Sequence, residues 1–107
     1  MIPVIQQVAD ELKKGLLDLY GNELENLILF GSYARGDYHE ESDVDFAFVL
    51  KHPRGSDYAE IKKTAGIAVL LGMKYNLVLS TLPVSKDKIR TSMEGIYQNI
   101  RREGIVI

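Results

Sequence analysis

The stretch that most constrains this chain is residues 30–48, which read F-G-S-Y-A-R-G-D-Y-H-E-E-S-D-V-D-F-A-F. An apolar run ends in Gly31 and Ser32, and ten residues later an Asp-x-Asp pair, Asp43 and Asp45, opens a second apolar run. Alternate residues of a strand point to the same face, so the two carboxylates would project side by side, about 7 Å apart along the strand. The pattern predicts two strands joined by a Gly-Ser turn and a polar stretch, with paired carboxylates where the second strand starts.

Two carboxylates on one strand face repel each other unless a cation lies between them. Hard divalent cations such as Mg²⁺ take oxygen ligands and are often shared with substrate phosphates. The same pair can bridge two ions about 3.5–4 Å apart, the spacing of two-metal phosphoryl-transfer sites. Asp43 and Asp45 are therefore predicted to be metal ligands and catalytic residues.

The Gly-Ser turn offers the complement to these carboxylates. A turn of this kind, leading into a short helix, presents free backbone N–H groups that bind phosphate oxygens. Gly31 lets the backbone approach a ligand closely, Ser32 adds a hydroxyl donor, and Arg35 adds a positive charge. Each feature alone is common in ordinary turns and strand starts, but the combination predicts a nucleotide-binding site.

Taken together, these motifs point to a known family. With G-S-Y-A-R-G and S-D-V-D-F both present, the chain closely resembles the minimal nucleotidyltransferase group, which shares its fold with DNA polymerase beta. The resemblance spans about residue 24 to the C-terminus, where the chain reads Y-Q-N-I-R-R-E-G-I. It implies an α/β (α+β) domain: a small mixed β-sheet with the strand of Asp43 and Asp45 near its centre and helices packed on one face.

The resemblance also implies a reaction. An acceptor hydroxyl would attack the α-phosphorus of a nucleoside triphosphate, taken to be ATP, and pyrophosphate would leave. Gly31 and Ser32 would hold the terminal phosphates, with Arg35 as a weaker candidate, and Asp43 and Asp45 would bind Mg²⁺ in a site of the two-metal type.

One residue departs from the family pattern. The third strand is predicted over residues 75–81, and the position that carries a third carboxylate in the family matches Asn76. An amide has no charge and cannot act as a base. Asn76 is therefore expected to weaken the second metal site and slow the transfer, unless a carboxylate comes from Glu60, Glu94 or a partner.

Composition narrows the remaining choices. The 107 residues suit one domain, residues 1–107, and the formal net charge of −2 argues against strong general binding to nucleic acid. The absence of cysteine excludes disulfides and thiolate metal sites, and the two histidines, His39 and His52, fall in predicted surface loops. No apolar stretch reaches the ~20 residues of a membrane span, and the N-terminus does not resemble a signal peptide, so a cytoplasmic location is expected.

Helices are predicted around these strands. Residues 1–20 show helical periodicity and end at Gly21, and a second helix runs from an N-cap at Asp57 to about residue 73. Its stretch 67–71 is apolar nearly all round, which predicts a well-buried helix. A loop is predicted at 51–56, and two short helices follow Ser85 and Ser92.

Three functions remain open from the sequence. In the resembling family, such domains are commonly encoded beside a small helical HEPN-type protein and act as its antitoxin, some by adenylylating it. The alternative is a catalytically weakened module that binds nucleotide or partner, for which Asn76 is the argument. A third option, modification of a small molecule, is weaker because the related enzymes have a second domain.

Overall fold

The computed structural model describes residues 1–52 and 56–107, so the loop predicted at 51–56 lies partly outside the described residues. The helices are Pro3–Tyr20 (α1), Ser32–Arg35 (α2), Asp57–Tyr75 (α3), Lys86–Thr91 (α4) and Gly95–Glu103 (α5). A 3₁₀ turn, Gly21–Glu23, leads into the first of four strands: Leu24–Phe30 (β1), Val44–Leu50 (β2), Leu79–Ser85 (β3) and Ile105–Val106 (β4).

The strands form one mixed sheet in the order β3-β2-β1-β4. β2 lies antiparallel to β1 and parallel to β3, and the short β4 pairs antiparallel with β1. The α/β class, the mixed sheet and the interior position of the strand after Asp43 are thus confirmed. In the described part of the chain, no helix is both long enough and apolar enough to cross a membrane.

Both faces of β2 are buried, because its residues alternate between two cores. Phe46 and Phe48 are fully buried in the core beneath α1 and α3. Ala47 and Val49 point the other way, into a second core that includes Tyr97 of α5. The prediction that the helices pack on one face is therefore wrong in part: the long helices cover one face, and the short helices after β3 cover the other.

α1 forms as its sequence predicts. Proline at the first helical position has no N–H to lose, and Gly21 ends the helix with a positive φ of 55°. Buried residues recur at helical spacing along one side: Ile5, Val8, Ala9, Leu12 and Leu16.

α3 differs from its prediction in two ways. Its N-cap is Ser56 rather than Asp57, because the Ser56 side chain accepts a hydrogen bond from the Ala59 N–H. Only a narrow stripe of the helix is buried, and Leu70 and Met73 are 70% and 76% exposed. The prediction that this helix is well buried is wrong, because it packs against α1 and β3 along one side only.

The boundary between α3 and β3 also differs from the prediction of a strand over 75–81. Helix α3 continues to Tyr75, and Asn76 ends it in the left-handed conformation, with φ 55° and ψ 48°. Asparagine adopts this conformation more readily than most residues, so it serves as a helix stop. The hydroxyl of Tyr75 donates to Glu11 of α1, which holds the last turn helical, and β3 begins only at Leu79.

Candidate functional site

A polar cavity of about 460 Å³ opens where β1 ends and β2 begins. Five of the six predicted site residues line it, together with three residues of α5: Gly31, Ser32, Arg35, Asp43, Asp45, Ile96, Asn99 and Glu103. The structure thus brings the Gly-Ser turn and the Asp-x-Asp pair to one cavity.

The two aspartates differ in their surroundings. Asp43 is exposed just before β2, whereas Asp45 is half-buried within it, paired with Phe30 on β1 and Ser80 on β3. Burial and then the negative charge of Asp43 raise the pKa of the Asp45 carboxyl, and the Arg35 charge acts in the opposite direction. A cation placed between the two carboxylates would relieve this repulsion.

The Gly-Ser turn is shaped by the closeness of Asp45. Gly31 has φ 76° and ψ −159°, a region that L side chains rarely adopt, and a Cβ atom there would collide with the Asp45 carboxylate. The carbonyl of Gly31 accepts the N–H groups of Ala34 and Arg35, which start the short helix α2. Glycine at this position is thus required both by the turn and by the contact with Asp45.

Glu103, at the end of α5, is a residue of the cavity that sequence reasoning missed. The Gly31 N–H donates to Glu103 Oε1 at 3.0 Å, and Arg35 Nη1 lies 3.2 Å from both Glu103 oxygens. Arg35 also donates from Nε to Asp37 at 3.1 Å. Its hydrogen bonds to Asp37 and Glu103 raise the pKa of the Arg35 guanidinium. The signal was present in the helical spacing of residues 96, 99 and 103, which places them on one face of α5.

Asn76 is not among the residues that line this cavity. It lies on a neighbouring groove along α3, which shares Glu41 and Ser42 with the cavity. The residue that β3 places beside Asp45 is Ser80. The interpretation of Asn76 as the third-ligand position rested on the wrong strand boundary and loses its structural basis. Ser80, the β3 residue that does lie beside Asp45, is not a carboxylate either.

The alternative carboxylates named from the sequence lie elsewhere. Glu60 is buried and accepts a hydrogen bond from the Tyr20 hydroxyl at 2.6 Å, and Glu94 is exposed at the start of α5.

His39 lies in an exposed loop, as predicted, yet it lines the cavity. Its Nδ1 accepts the N–H of Glu41 at 3.2 Å, and its backbone N–H donates to the Ser42 hydroxyl at 2.9 Å. His39 therefore shapes the loop beside the aspartates.

The donor set fits a divalent cation that arrives with phosphate. Among residues 1–52 and 56–107, no three His, Cys, Asp or Glu side chains are grouped to hold a metal by themselves. Mg²⁺ is usually held by one or two carboxylates plus phosphate oxygens and water, rather than by a full protein cage. Asp43 and Asp45, with the Gly31–Ser32 turn beside them in the same cavity, are compatible with that arrangement.

Comparison with known proteins gives relatives of matching length. A Methanocaldococcus jannaschii protein named putative protein adenylyltransferase MJ0141 is 39% identical over 95 residues, which are 89% of this chain and 93% of the relative. Residues 9–106 match the family described as nucleotidyltransferase domain.

Solved structures share the fold at low identity. A toxin–antitoxin structure with AMP-PNP matches with a TM-score of 0.61 and 20% identity, over 89% of this chain and 68% of that one. A complex of tri-AMPylated Shewanella oneidensis HEPN toxin with MNT antitoxin matches with a TM-score of 0.59 and 18% identity, over 94% and 69%. With the family match covering nearly the whole sequence, this chain belongs to the nucleotidyltransferase domain family.

Proposed function

We propose that this nucleotidyltransferase moves AMP from ATP to a hydroxyl group of a protein partner, in a Mg²⁺-dependent reaction. The observation that supports this most is the shared cavity of the Gly31–Ser32 turn and the Asp43/Asp45 pair. The relative from M. jannaschii is named a protein adenylyltransferase, which favours AMP as the group and a protein as the acceptor.

Each residue has a defined part in this reaction. Ser32 and the turn would bind the terminal phosphates, and Asp43 and Asp45 would hold Mg²⁺. When bound, the metal neutralises phosphate charge and lowers the pKa of the acceptor hydroxyl. The acceptor oxygen forms a bond to the α-phosphorus, the bond to pyrophosphate breaks, and the hydroxyl proton passes to solvent water.

The acceptor we propose is a small helical protein of the HEPN type, with this chain as its antitoxin. Two neighbours in fold support this choice, since one is a toxin–antitoxin with AMP-PNP and the other contains an AMPylated HEPN toxin with its MNT antitoxin. We place the reaction in the cytoplasm, where ATP is made available.

A second candidate function follows from β3. Its residue beside Asp45 is Ser80, so no carboxylate from this strand adds to the metal site. A site with two carboxylates would bind nucleotide through the first metal while the second stays weak. The chain would then neutralise its partner by contact, as a nucleotide-binding or partner-binding module.

Calorimetry with ATP and Mg²⁺ tests the site. Wild type should bind Mg²⁺–ATP, and the Asp43→Ala/Asp45→Ala double variant should not. Asp10→Ala/Asp18→Ala is the matched control, because it removes the same charge from exposed positions of α1. Equal affinity in wild type and the Asp43/Asp45 variant would refute the site assignment.

Transfer of label from α-labelled ATP to the partner then separates the two functions. Labelled partner supports the transferase. Tight partner binding without any label, in the presence of Mg²⁺ or Mn²⁺, supports the binding module.

A further inference from the structure

Glu103, in the last turn of α5, accepts hydrogen bonds from two groups near Ser32. One is the Gly31 N–H, just before Ser32, and the other is the Arg35 guanidinium, three residues after it. We propose that Glu103 is a positioning residue, which holds the Gly31–Ser32 turn and Arg35 in the shape that receives the nucleotide phosphates. The proposal rests on the proposed function, because the phosphates are those of its nucleotide.

The contacts of Glu103 leave it little freedom. Its side chain is only 12% exposed, and both oxygens are engaged by Arg35 while Oε1 also accepts from the backbone of Gly31. Hydrogen bonds to a charged group in a half-buried position are stronger than those between neutral groups. The Glu103 carboxylate thus fixes both the Gly31 backbone and the Arg35 side chain.

The backbone that follows Glu103 anchors it further. Gly104 donates its N–H to Ile100 at 2.9 Å, and a Cβ atom on Gly104 would lie 2.6 Å from Ile28 Cγ2. The next residues form β4, in which Val106 pairs with Ile28 of β1. Because β1 leads directly into Gly31, Glu103 and the turn are held by the same pair of strands. This geometry holds Glu103 rigidly, so phosphate is not expected to displace it. The contacts of Glu103 with Gly31 and Arg35 are called the brace below.

The brace changes how the phosphate site works. The Gly31 N–H is already donated to Glu103, so the contribution of Gly31 is the shape of the turn. The N–H groups of Ala34, Arg35 and Gly36 are bonded within α2, so the donors for phosphate begin at Ser32 itself. The negative charge of Glu103 beside a phosphate site is offset by Arg35, its ion-pair partner. Removing Glu103 would free the turn and release Arg35 at the same time.

Two variants separate these effects in calorimetry with Mg²⁺–ATP. Glu103→Ala should lower the affinity by about 10- to 100-fold, by analogy with the loss when a residue that orients a metal ligand is removed. Glu103→Gln keeps an oxygen for the Gly31 N–H but loses the charge that holds Arg35, so its loss should be smaller. In an Arg35→Ala background, the effect of Glu103→Gln should disappear, because the partner of the lost charge is absent.

Glu94→Ala is the control, since Glu94 is exposed at the N-cap of the same helix and is not among the cavity residues. It should bind Mg²⁺–ATP as wild type does. Wild-type or tighter binding by Glu103→Ala would overturn the proposal, and tighter binding would show that Glu103 competes with phosphate. If Glu103→Ala does not fold, Glu103→Gln decides: a loss that vanishes without Arg35 supports the proposal, and no loss overturns it.

Amide hydrogen exchange without nucleotide separates this proposal from the proposed function. Faster exchange confined to residues 31–35 in Glu103→Ala supports the brace, even if wild type fails to bind Mg²⁺–ATP and the proposed function falls. Exchange that is unchanged, or faster throughout the chain, overturns the brace.

Discussion

The two faces of β2 show how neighbouring residues on one strand divide stability and chemistry. On one face, Val44, Phe46 and Phe48 are all 0% exposed beneath α1 and α3, helices of 18 and 19 residues. On the other face the covering helices, α4 and α5, have 6 and 9 residues. They bury Ala47 and Val49 and leave Asp45, at the start of the strand, half-buried beside the cavity. The site thus forms where short helices leave one end of a central strand open.

Adjacent alanine substitutions give the largest expected contrast between the faces. Phe46→Ala should lower the free energy of unfolding by about 3–5 kcal/mol, the usual cost of deleting a buried aromatic ring. Asp45→Ala should stay folded and lose transfer, because the metal loses a ligand. Denaturant unfolding and labelled-ATP transfer measure the two effects. Comparable destabilisation by both variants would mean that the face of β2 that carries Asp45 is as important for the fold as the face that carries Phe46.

Ser80, the residue on β3 beside Asp45, provides a sharper test of the face of β2 that carries Asp45. Ser80→Asp would add a carboxylate next to Asp45, and by the usual effect of a positioned base it should raise the rate of transfer about 10²-fold. Asn76→Asp, its matched control at the end of α3, should leave the rate unchanged. Faster transfer by Asn76→Asp alone would show that the third position lies where the sequence pattern placed it.

The smallest expected effect concerns the contact between α1 and α3, the two helices that cover Phe46 and Phe48. Hydrogen bonds from Lys74, then from Tyr75, lower the pKa of the Glu11 carboxyl and tie α1 to α3. A carboxyl with a lowered native pKa stabilises the fold above its unfolded pKa, and this contribution is lost as the pH falls through the native pKa. Glu11→Gln should therefore unfold more easily than wild type at neutral pH, with the difference shrinking below about pH 4.

Thermal unfolding over pH 3–8 measures this contribution, and transfer activity should be unaffected. Asp10→Asn, at the adjacent exposed position of α1, is the matched control. If the difference in stability between wild type and Glu11→Gln persists undiminished in acid, it comes from packing and not from the charge of Glu11.

Local signals in the sequence were sufficient to predict that four of the candidate site residues lie together. Gly31, Ser32, Asp43 and Asp45 belong to one short stretch, and a strand, a turn and a second strand bring them together without help from distant parts of the chain. The interior place of β2 also followed from the resemblance. These features depend on short-range geometry, in which alternation and turn chemistry are informative.

Features that depend on tertiary contacts were not predictable in the same way. The run from Tyr75 alternates like a strand, yet the contact of Tyr75 with Glu11 and the left-handed Asn76 extend α3. The apolar stretch of α3 looks like a buried helix, but much of it has no covering element among the described residues. Glu103 lies more than 70 residues from Gly31 in the sequence, and the packing of α5 on β1 together with the pairing of β4 with β1 brings them together.

The contact between Gly31 and Asp45 has a consequence for how this sequence can change over generations. A side chain at position 31 would meet the Asp45 carboxylate, so a lineage that retains the aspartate must retain the glycine. If selection on the chemistry ended, both positions would be released together, although the left-handed φ of Gly31 would still slow its replacement. Drift at these two positions should therefore be correlated, and an intact pair marks a lineage in which the site is still under selection.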